Sequence, residues 1–281
     1  MLILFIAGCA KEKTLPPPMH LPPVEIPHGG PALLGHLNTD SLAALPQDNQ
    51  YPPPAIQYGG WPMIKTETSF DTTGNVAGFT EYFYDANWYL IEESYTGTYP
   101  NNSYTRLYSY PPGKVKVTGR SDIYLDGNGQ ASWEYQYNYE KLYYYFNGNG
   151  NLTGQTYPHG SSSYYYGPDG NMYAEGGTGE MYPYTIFTNN TFTYNTGLST
   201  IGNYNRGKYY MGKTSVNNVE YVHYHSDLNG GPGQHNSFAT FSYTYNSSGW
   251  IIRVDGVHAD LGAYGSTDTT YSYSRTEYTY Y

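Results

Sequence analysis

The chain has 281 residues, a formal net charge of −10, and charged side chains at only 13% of its positions. An acidic surface repels phosphate backbones and anionic headgroups, so neither nucleic acid nor electrostatic docking on lipid is expected. Tyrosine is the most prominent residue type, with 38 copies, and 33 glycines accompany it. Because tyrosine favours strands and glycine favours turns, the composition predicts an all-β protein rather than a helical or disordered one.

The first nine residues form a mostly apolar run that ends at Cys9, the only cysteine in the sequence. The run Ile6-Ala7-Gly8-Cys9 resembles the lipobox of bacterial lipoproteins, in which cleavage before the cysteine frees the residue that receives the lipid. We therefore expect residues 1–9 to be a signal segment and Cys9 to anchor the protein in the outer membrane, on its periplasmic or surface side. No Lys or Arg precedes Cys9, which leaves open a start upstream of Met1.

Residues 10–58 hold most of the prolines, including the runs 16–18 and 52–54. Proline has no backbone N–H to donate to a β-ladder, and it favours the extended polyproline II conformation. This composition predicts a Pro-rich linker that separates the lipid anchor from the rest of the chain.

The composition changes at residue 59. From there to residue 281 one pattern recurs: an aromatic residue, then Asp, Asn or another turn residue, then Gly. Copies occur at residues 70–76, 84–90, 110–115, 125–129, 146–152, 166–172, 194–198 and 245–251, with a looser copy at 224–230. Asp and Asn tolerate left-handed backbone and Gly supplies positive φ, as hairpin turns require.

A period of about twenty residues in the array 125–172 corresponds to one two-stranded hairpin with its turns. Connections this short permit only antiparallel pairing. The sequence therefore predicts an antiparallel meander of repeated β-hairpins over residues 59–281, which forms a curved single-layer sheet or an open barrel.

The form Tyr-x-Tyr-Asp/Asn-x-x-Gly-x-Leu/Ile resembles the YD repeat of secreted bacterial proteins. The chain is also similar to tyrosine-rich lipoproteins of Bacteroidota, some of which have a porin-like or single-layer sheet. The resemblance covers roughly residues 66–281. The Gly-Arg pairing usual at the YD turn is missing here, which argues against a toxin-encapsulating shell. The resemblance implies an architecture and an envelope address, and it implies no activity.

Metal ligands can be drawn from the histidines of the C-terminal third. His223 and His225 lie on one face of a strand, and His235, His258 and Asp260 follow downstream. We expect exposed strand residues instead, because a His-x-His pair on a strand sets no spacing for a third ligand. Neither a metal nor another cofactor is expected.

Catalytic residues are not predicted. Glu92 and Glu93 are adjacent and so face opposite sides of a strand. Asp255 and Asp260 belong to the stretch 255–262, whose composition is typical of a loop. A glycosidase needs two carboxylates that converge at a defined separation, and neither pair provides this. A Gly-x-Ser-x-Gly nucleophile elbow is also missing from the sequence.

Two tyrosine triplets must place rings on both faces of their strands, and they supply the candidate ligand-binding residues Tyr143, Tyr145, Tyr164 and Tyr166. Exposed rings are suited to stacking on sugars. The structural alternative is that cross-strand tyrosine pairs hold the sheet together, because aliphatic residues are too few for a thick core.

These features predict a lipid-anchored envelope lipoprotein that binds or scaffolds without catalysis, with carbohydrate or an envelope protein as partner. One alternative is a hydrolase that acts on polysaccharide. Another is an outer-membrane β-barrel, for which the aromatic C-terminus is suited. Such a barrel needs an outward aliphatic band, and the predicted strands are rich in Ser, Thr and Asn instead.

Lipidation at Cys9 is tested by metabolic labelling. Wild-type protein expressed in a bacterium is expected to incorporate labelled palmitate and to fractionate with membranes, whereas Cys9→Ser does neither because it lacks the acceptor thiol. Label that persists on Cys9→Ser would contradict the assignment.

Overall fold

The computed structural model describes residues 62–98, 102–136, 140–181, 184–229, 234–263 and 269–281. Residues 1–9 with Cys9, and the linker 10–58, lie outside the described residues. No helix in the described ranges is long and apolar enough to cross a bilayer. The described chain is built mainly of strands, with two short 3-10 helices, Tyr204–Arg206 and Tyr209–Met211, between β12 and β13. The strands are β1 (Ile64–Phe70), β2 (Val76–Tyr84), β3 (Leu90–Gly97), β4 (Ser103–Ser109), β5 (Lys114–Val117), β6 (Ile123–Leu125), β7 (Ala131–Tyr135), β8 (Lys141–Phe146), β9 (Leu152–Tyr157), β10 (Gly160–Tyr166), β11 (Met172–Met181), β12 (Tyr184–Leu198), β13 (Asn217–Asn229), β14 (Gln234–Tyr245), β15 (Ile251–Ala263) and β16 (Thr270–Tyr280).

Each strand pairs antiparallel with its neighbours in sequence, and β16 pairs with β1, so that the sixteen strands close into a barrel. The closing ladder runs from the pair Ile64–Tyr280 to the pair Phe70–Arg275. The predicted antiparallel meander of hairpins is confirmed. The sheet closes instead of remaining open, and closure gives backbone partners to the two strands that would otherwise be edges.

Most copies of the repeated motif form the same turn. In the β14–β15 turn, the Asn246 amide donates to the Trp250 carbonyl at 2.9 Å. The Asn246 side-chain oxygen accepts from the amides of Ser248 and Trp250, both at 2.9 Å. Asp85, Asp126 and Asn147 make the same side-chain bonds in their turns. The side chain therefore closes the turn from within.

The fourth residue of this turn adopts the left-handed region, where glycine is favoured. Gly129, Gly150 and Gly249 have φ of 76°, 81° and 79°. Trp88 occupies the same place in the β2–β3 turn with φ of 64°, and it is the one non-glycine residue in the described ranges with positive φ. Because one period of the array spans two strands, these turns lie at the same end of the barrel, here called the turn end. The turn at 71–75 has the same hydrogen bonds but lies at the opposite end.

Two sequence predictions of irregular structure were wrong. The looser copy at 224–230 is not a turn, because its residues through Asn229 belong to β13, which pairs with β14 without a break from Tyr221 to Asp227. The loop-like stretch 255–262 belongs to β15. In both segments the side chains alternate between the two faces of the sheet as in any strand, although their Gly and Asp content is typical of a turn or loop.

The barrel wall is of unequal height. Strands β5 to β9 have three to six residues each, whereas β11 to β16 have ten to fifteen. The longer strands form what we call the tall wall, which extends away from the turn end.

The core lies inside the barrel near the turn end, and it is mixed. Its buried tyrosines are Tyr82, Tyr108, Tyr144, Tyr210 and Tyr278, and its aliphatic residues include Ile64, Leu90, Val115, Val117, Ile123, Leu142 and Ile251. Tyrosine therefore supplements the aliphatic core but does not replace it.

Three half-buried tyrosines that pack against this core place their hydroxyls on acceptors at matching positions in the hairpins. Near the end of an even-numbered strand, Tyr84, Tyr110 and Tyr280 donate to the carbonyl of the first residue of the preceding odd-numbered strand. The acceptors are the carbonyls of Ile64 at 2.7 Å, Leu90 at 2.8 Å and Ile251 at 2.5 Å. These bonds fasten the two strands of a hairpin at the turn end.

The turn geometry is tested at Asn147, whose side-chain oxygen accepts from the amides of Asn149 and Asn151. Asn147→Ala is expected to lower the free energy of unfolding by about 1–2 kcal/mol, because it leaves two turn amides without their acceptor. Urea titration followed by tyrosine fluorescence measures this. Asn149→Ala, an exposed change in the same turn, is the control, and equal losses in the two variants would contradict the assignment.

Candidate functional site: a lumen closed at one end

Residues 199–216, between β12 and β13, fold into the barrel at the turn end and are called the plug segment. The Lys213 amide donates to the Gly150 carbonyl at 2.9 Å. Thr200 Oγ1 accepts from the Ile251 amide at 3.0 Å, and Asn205 Nδ2 donates to the Pro62 carbonyl at 2.9 Å. These partners come from separate parts of the circumference, so the segment lies within the ring of strands.

The plug segment fits closely against the wall at Gly207. This residue has φ of 66°, and a Cβ there would lie 2.8 Å from the Leu90 amide nitrogen and 2.9 Å from the Trp88 carbonyl oxygen. Only glycine satisfies both the backbone conformation and the contact.

Two ion pairs join the plug segment to the inner wall. Arg206 contacts Glu67 on β1, with 2.8 Å between NH2 and Oε2, and Lys208 contacts Glu93 on β3, with 2.6 Å between Nζ and Oε2. Cross-strand register places Glu67 and Glu93 on the same, inward face through Thr80 and Tyr82 of β2. Opposite charges therefore hold the segment in place across the lumen.

Glu93 is the most heavily used acidic side chain of the inner wall. Besides Lys208, it accepts hydrogen bonds from Tyr104 at 3.1 Å, Tyr108 at 3.0 Å and Arg106 at 3.2 Å. Burial by itself raises the pKa of Glu93, but the Lys208 ammonium and the hydrogen bonds from Lys208, Tyr108 and Tyr104 outweigh it and hold the pKa below its usual value. Glu93 is therefore a buried anion at neutral pH.

A cavity of about 340 Å³ lies against the tall wall, lined by Thr188, Asn190, Tyr224, Ser226, His235, Ser237 and His258, and bordered also by His225, which strand register assigns to the outer face. Register places the paired residues Asn190 and Tyr224, and then Tyr224 and Ser237, on one face. Ser272 pairs with His258, shares this face and is exposed, so solvent reaches the inner wall here.

The side chains of the cavity are partly ordered by one another. His235 Nε2 lies 2.9 Å from Asp260 Oδ1, and Asn190 Nδ2 donates to Glu175 Oε2 at 3.2 Å. The Tyr224 and His258 rings are 6.1 Å apart between centroids. Burial, with a contribution from Glu175, raises the pKa of Tyr224, which stays a neutral hydroxyl donor. The wall thus presents hydroxyl, amide and imidazole groups.

The histidines considered as candidate metal ligands lie on opposite faces of the sheet. His223 and His225 point outward, where their nitrogens lie 3.1 and 2.8 Å from Asn236 Oδ1, and His225 Nε2 lies 2.9 Å from Asp227 Oδ2. His235 and His258 point into the lumen. The described part of the chain contains no group of three His, Cys, Asp or Glu residues arranged for a metal ion.

The four candidate tyrosines also belong to two surfaces. Tyr143 and Tyr145 are exposed on the outside of β8, whereas Tyr144 between them is buried inside. Tyr164 and Tyr166 lie on the inward face of β10, where Tyr164 pairs with Glu175 and donates to Gln155 Oε1 at 3.4 Å. Rings on both faces are as the triplets predicted, and the four tyrosines do not form one site.

The carboxylate pairs are separated as well. Glu93 is inside and Glu92, its neighbour, is outside. Asp255 lies on the outer face with Arg253 and Arg275 at 2.6 and 2.8 Å, whereas Asp260 faces the lumen. The two carboxylates of each pair therefore lie on opposite faces of the sheet.

Sequence reasoning missed the plug segment and the cavity wall. The plug segment had a visible signal, because the repeat is interrupted between the copies at 194–198 and 245–251. The interruption contains Arg206, Lys208 and Lys213, although the whole chain has only 13 Lys and Arg. The cavity wall had no comparable signal, since its residues come from four strands and depend on closure of the barrel.

Comparison with known proteins supports the fold. No family model matches the chain, and no curated protein does. Among solved structures, it is similar to a porin-like protein from Bacteroides uniformis, with 11% identity and a TM-score of 0.53, over 78% of this chain and 98% of that one. The fold is porin-like. At this identity the likeness concerns architecture alone.

The plug ion pair is tested with Lys208→Met. This change leaves Glu93 buried without its ammonium partner, and we expect the free energy of unfolding to fall by about 2–4 kcal/mol. Chemical denaturation measures it. Lys114→Met is the matched control, because Lys114 and Asp122 are equally close at 2.7 Å but their side chains are more exposed than Glu93.

Glu93→Gln combined with Lys208→Met is expected to recover part of the loss, because the buried charge is then gone. Equal stability of Lys208→Met and wild type would show that the plug segment is not held by this pair.

Proposed function

We propose that the chain is a lipid-anchored envelope protein whose barrel binds a small uncharged carbohydrate in its lumen. The observation that carries this proposal is a lumen that the plug segment closes at the turn end. Its tall wall is lined by hydroxyl, amide and imidazole side chains, and the acidic Glu175 and Asp260 are engaged by Asn190 and His235. The lipid anchor in this proposal rests on the lipobox-like sequence that ends at Cys9.

A closed lumen is suited to holding a ligand and not to conducting one. A sixteen-strand barrel is wide enough to leave an aqueous channel. Here the plug segment occupies that space with two ion pairs, Arg206–Glu67 and Lys208–Glu93, and with the buried Tyr210. Opening a channel would require both pairs to break.

The outer face favours contact with water over contact with lipid. Asp255 and Arg253 form a part-exposed ion pair on the outside of β15, and Asp255 also pairs with Arg275 of β16, whose side chain is buried. Charged side chains on the lipid face of a barrel cost about 2–4 kcal/mol each near the bilayer midplane for Arg and Lys. Strands β5 and β6 are also too short to span a membrane. They have four and three residues, whereas a membrane-spanning strand needs roughly 9–11.

The cavity chemistry favours a neutral polyol. Thr188, Ser226, Ser237 and Tyr224 offer hydroxyls, and Asn190 offers an amide. These groups both donate and accept, as sugar hydroxyls do. The volume of about 340 Å³ is within the range of small-molecule sites.

The porin-like neighbour favours a second candidate, an outer-membrane barrel that passes solutes. This candidate predicts that the purified protein requires detergent and that it conducts ions in a planar bilayer. Both measurements separate it from the binding protein proposed above.

The proposal is tested on the full chain carrying Cys9→Ser, without detergent. A glycan array of neutral oligosaccharides, followed by calorimetry on the best ligand, is expected to show binding that weakens about tenfold in Tyr224→Phe, since one lost hydrogen bond to a ligand is worth about that much. His258→Leu should weaken it similarly. His223→Leu, on the outer face of the same sheet, is the control and keeps wild-type affinity.

Two results would overturn the proposal. One is a folded protein for which no neutral oligosaccharide binds in the array. The other is a stepwise conductance of the wild type in bilayers, which would assign the barrel to transport.

A further inference from the structure

One sector of the outer surface, spanning β8 to β12, differs in chemistry from the remainder. Strand register arranges its outward residues in rows that run across the strands. One row is Tyr143, Thr156, Ser161, Thr178 and Phe187, and the next is Tyr145, Gly154, Ser163, Gly176 and Asn189. We call these two rows, with Tyr165 and Tyr173 beside them, the outer trough.

Large aromatic rings border the trough and are open to solvent. Tyr145, Tyr165 and Tyr173 are 51%, 49% and 55% exposed, and Tyr143 and Phe187 are exposed as well. The Tyr165 and Tyr173 rings lie 6.3 Å apart at an angle of 38°. Contiguous exposed rings of this kind mark interaction surfaces more often than isolated ones do.

The two rows of the trough, all of whose residues are described, contain no Asp, Glu, Lys, Arg or His. Two outward charged residues of the same strands, Lys141 of β8 and Glu180 of β11, border the rows. Elsewhere the outer face is charged, as at Lys116 of β5, at Asp255 and Arg253 of β15, and at Glu277 of β16. Along the two rows themselves neither a cationic nor an anionic partner gains an ion pair, so on a chain of net charge −10 this strip favours a neutral ligand.

The floor of the trough contains a glycine that the fold does not require. A Cβ at Gly176 would meet only the Thr188 carbonyl oxygen, at the ordinary distance of 3.8 Å, and its φ is not in the left-handed region. Glycine weakens a strand, and in a strand interior it is often found where another molecule approaches the backbone closely. Gly176 is therefore open to a partner lying on the sheet.

The aromatic group next to the trough is arranged differently. Trp133 of β7 stacks on Tyr124 of β6 with 3.8 Å between ring centroids, and the ammonium of Lys141 on β8 lies 4.2 Å from the centroid of the indole. Both contacts join side chains of neighbouring strands on the outer face of the sheet. Trp133 serves the packing of β6 to β8, whereas the tyrosines of the trough keep exposed ring surface.

We propose that the outer trough binds a neutral polysaccharide, whose sugar rings stack on Tyr145 and Tyr165 and whose chain passes over Gly176. Ring faces provide the stacking surface, and Ser161, Ser163 and Thr156 provide hydroxyls for hydrogen bonds. This surface lies on the opposite side of the sheet from the lumen, so the proposal stands independently of luminal binding.

Affinity electrophoresis tests the proposal with the full chain carrying Cys9→Ser, in native gels containing soluble β-glucan, xyloglucan, galactomannan or, for comparison, polygalacturonate. We expect retardation by at least one neutral polysaccharide and none by the acidic polymer. Tyr165→Ala should weaken the interaction about tenfold, the effect of losing one stacking contact.

Gly176→Val separates binding from folding. Valine is a stronger strand former than glycine, and a Cβ has room at this position, so the thermal midpoint should not fall, whereas the valine side chain should block the polymer and abolish retardation. Tyr271→Ala is the control, because Tyr271 is equally exposed on β16 outside the trough. The luminal change Tyr224→Phe should leave retardation unchanged.

The proposal is overturned if no neutral polysaccharide retards the chain, or if Gly176→Val is retarded as strongly as wild type. Concentration-dependent dimers in ultracentrifugation that Tyr165→Ala abolishes, without retardation by any polymer, would assign the trough to self-association instead.

Discussion

A tyrosine ring gains free energy when it leaves water, but its hydroxyl must find an acceptor in the interior or the gain is lost. In this barrel the inner-wall glutamates meet that requirement. Tyr82 donates to Glu67 at 3.2 Å, Tyr108 to Glu93 at 3.0 Å and Tyr144 to Glu134 at 2.5 Å. Each acceptor is an anion, so burying tyrosine hydroxyls brings negative charge inside the barrel.

That charge explains the composition of the plug segment. Glu67 and Glu93 need cations as well as hydroxyls, and Arg206 and Lys208 supply them. The segment completes the electrostatics of the tyrosine core at the same time as it closes the end of the lumen. An aliphatic core of the same size would need no anions, and hence no basic segment to neutralise them.

The residues show how far local pattern predicts this fold. The turns were predictable because Asp126 or Asn147 bonds to amides only two and four residues ahead, and because Gly129 and Gly150 supply the backbone conformation. The alternation of side chains along a strand likewise predicted that Glu92 and Glu93 face opposite sides of the sheet. The pairing of β1 with β16, and the contact of Lys208 with Glu93, join residues far apart in the chain. No local periodicity in the sequence encodes these contacts. The closure of the barrel, the plug segment and the cavity therefore could not be predicted from the sequence.

The placement of nearly all repeated turns at one end has a consequence for how such a chain can change. Insertion or loss of one repeat adds or removes two strands, so the circumference changes in whole steps while every remaining turn keeps its geometry. The plug segment has a fixed span between Pro62, Gly150 and Ile251. A ring one hairpin larger would leave these anchor points too far apart for it. Strand number and the length of this one connection are therefore constrained to vary together.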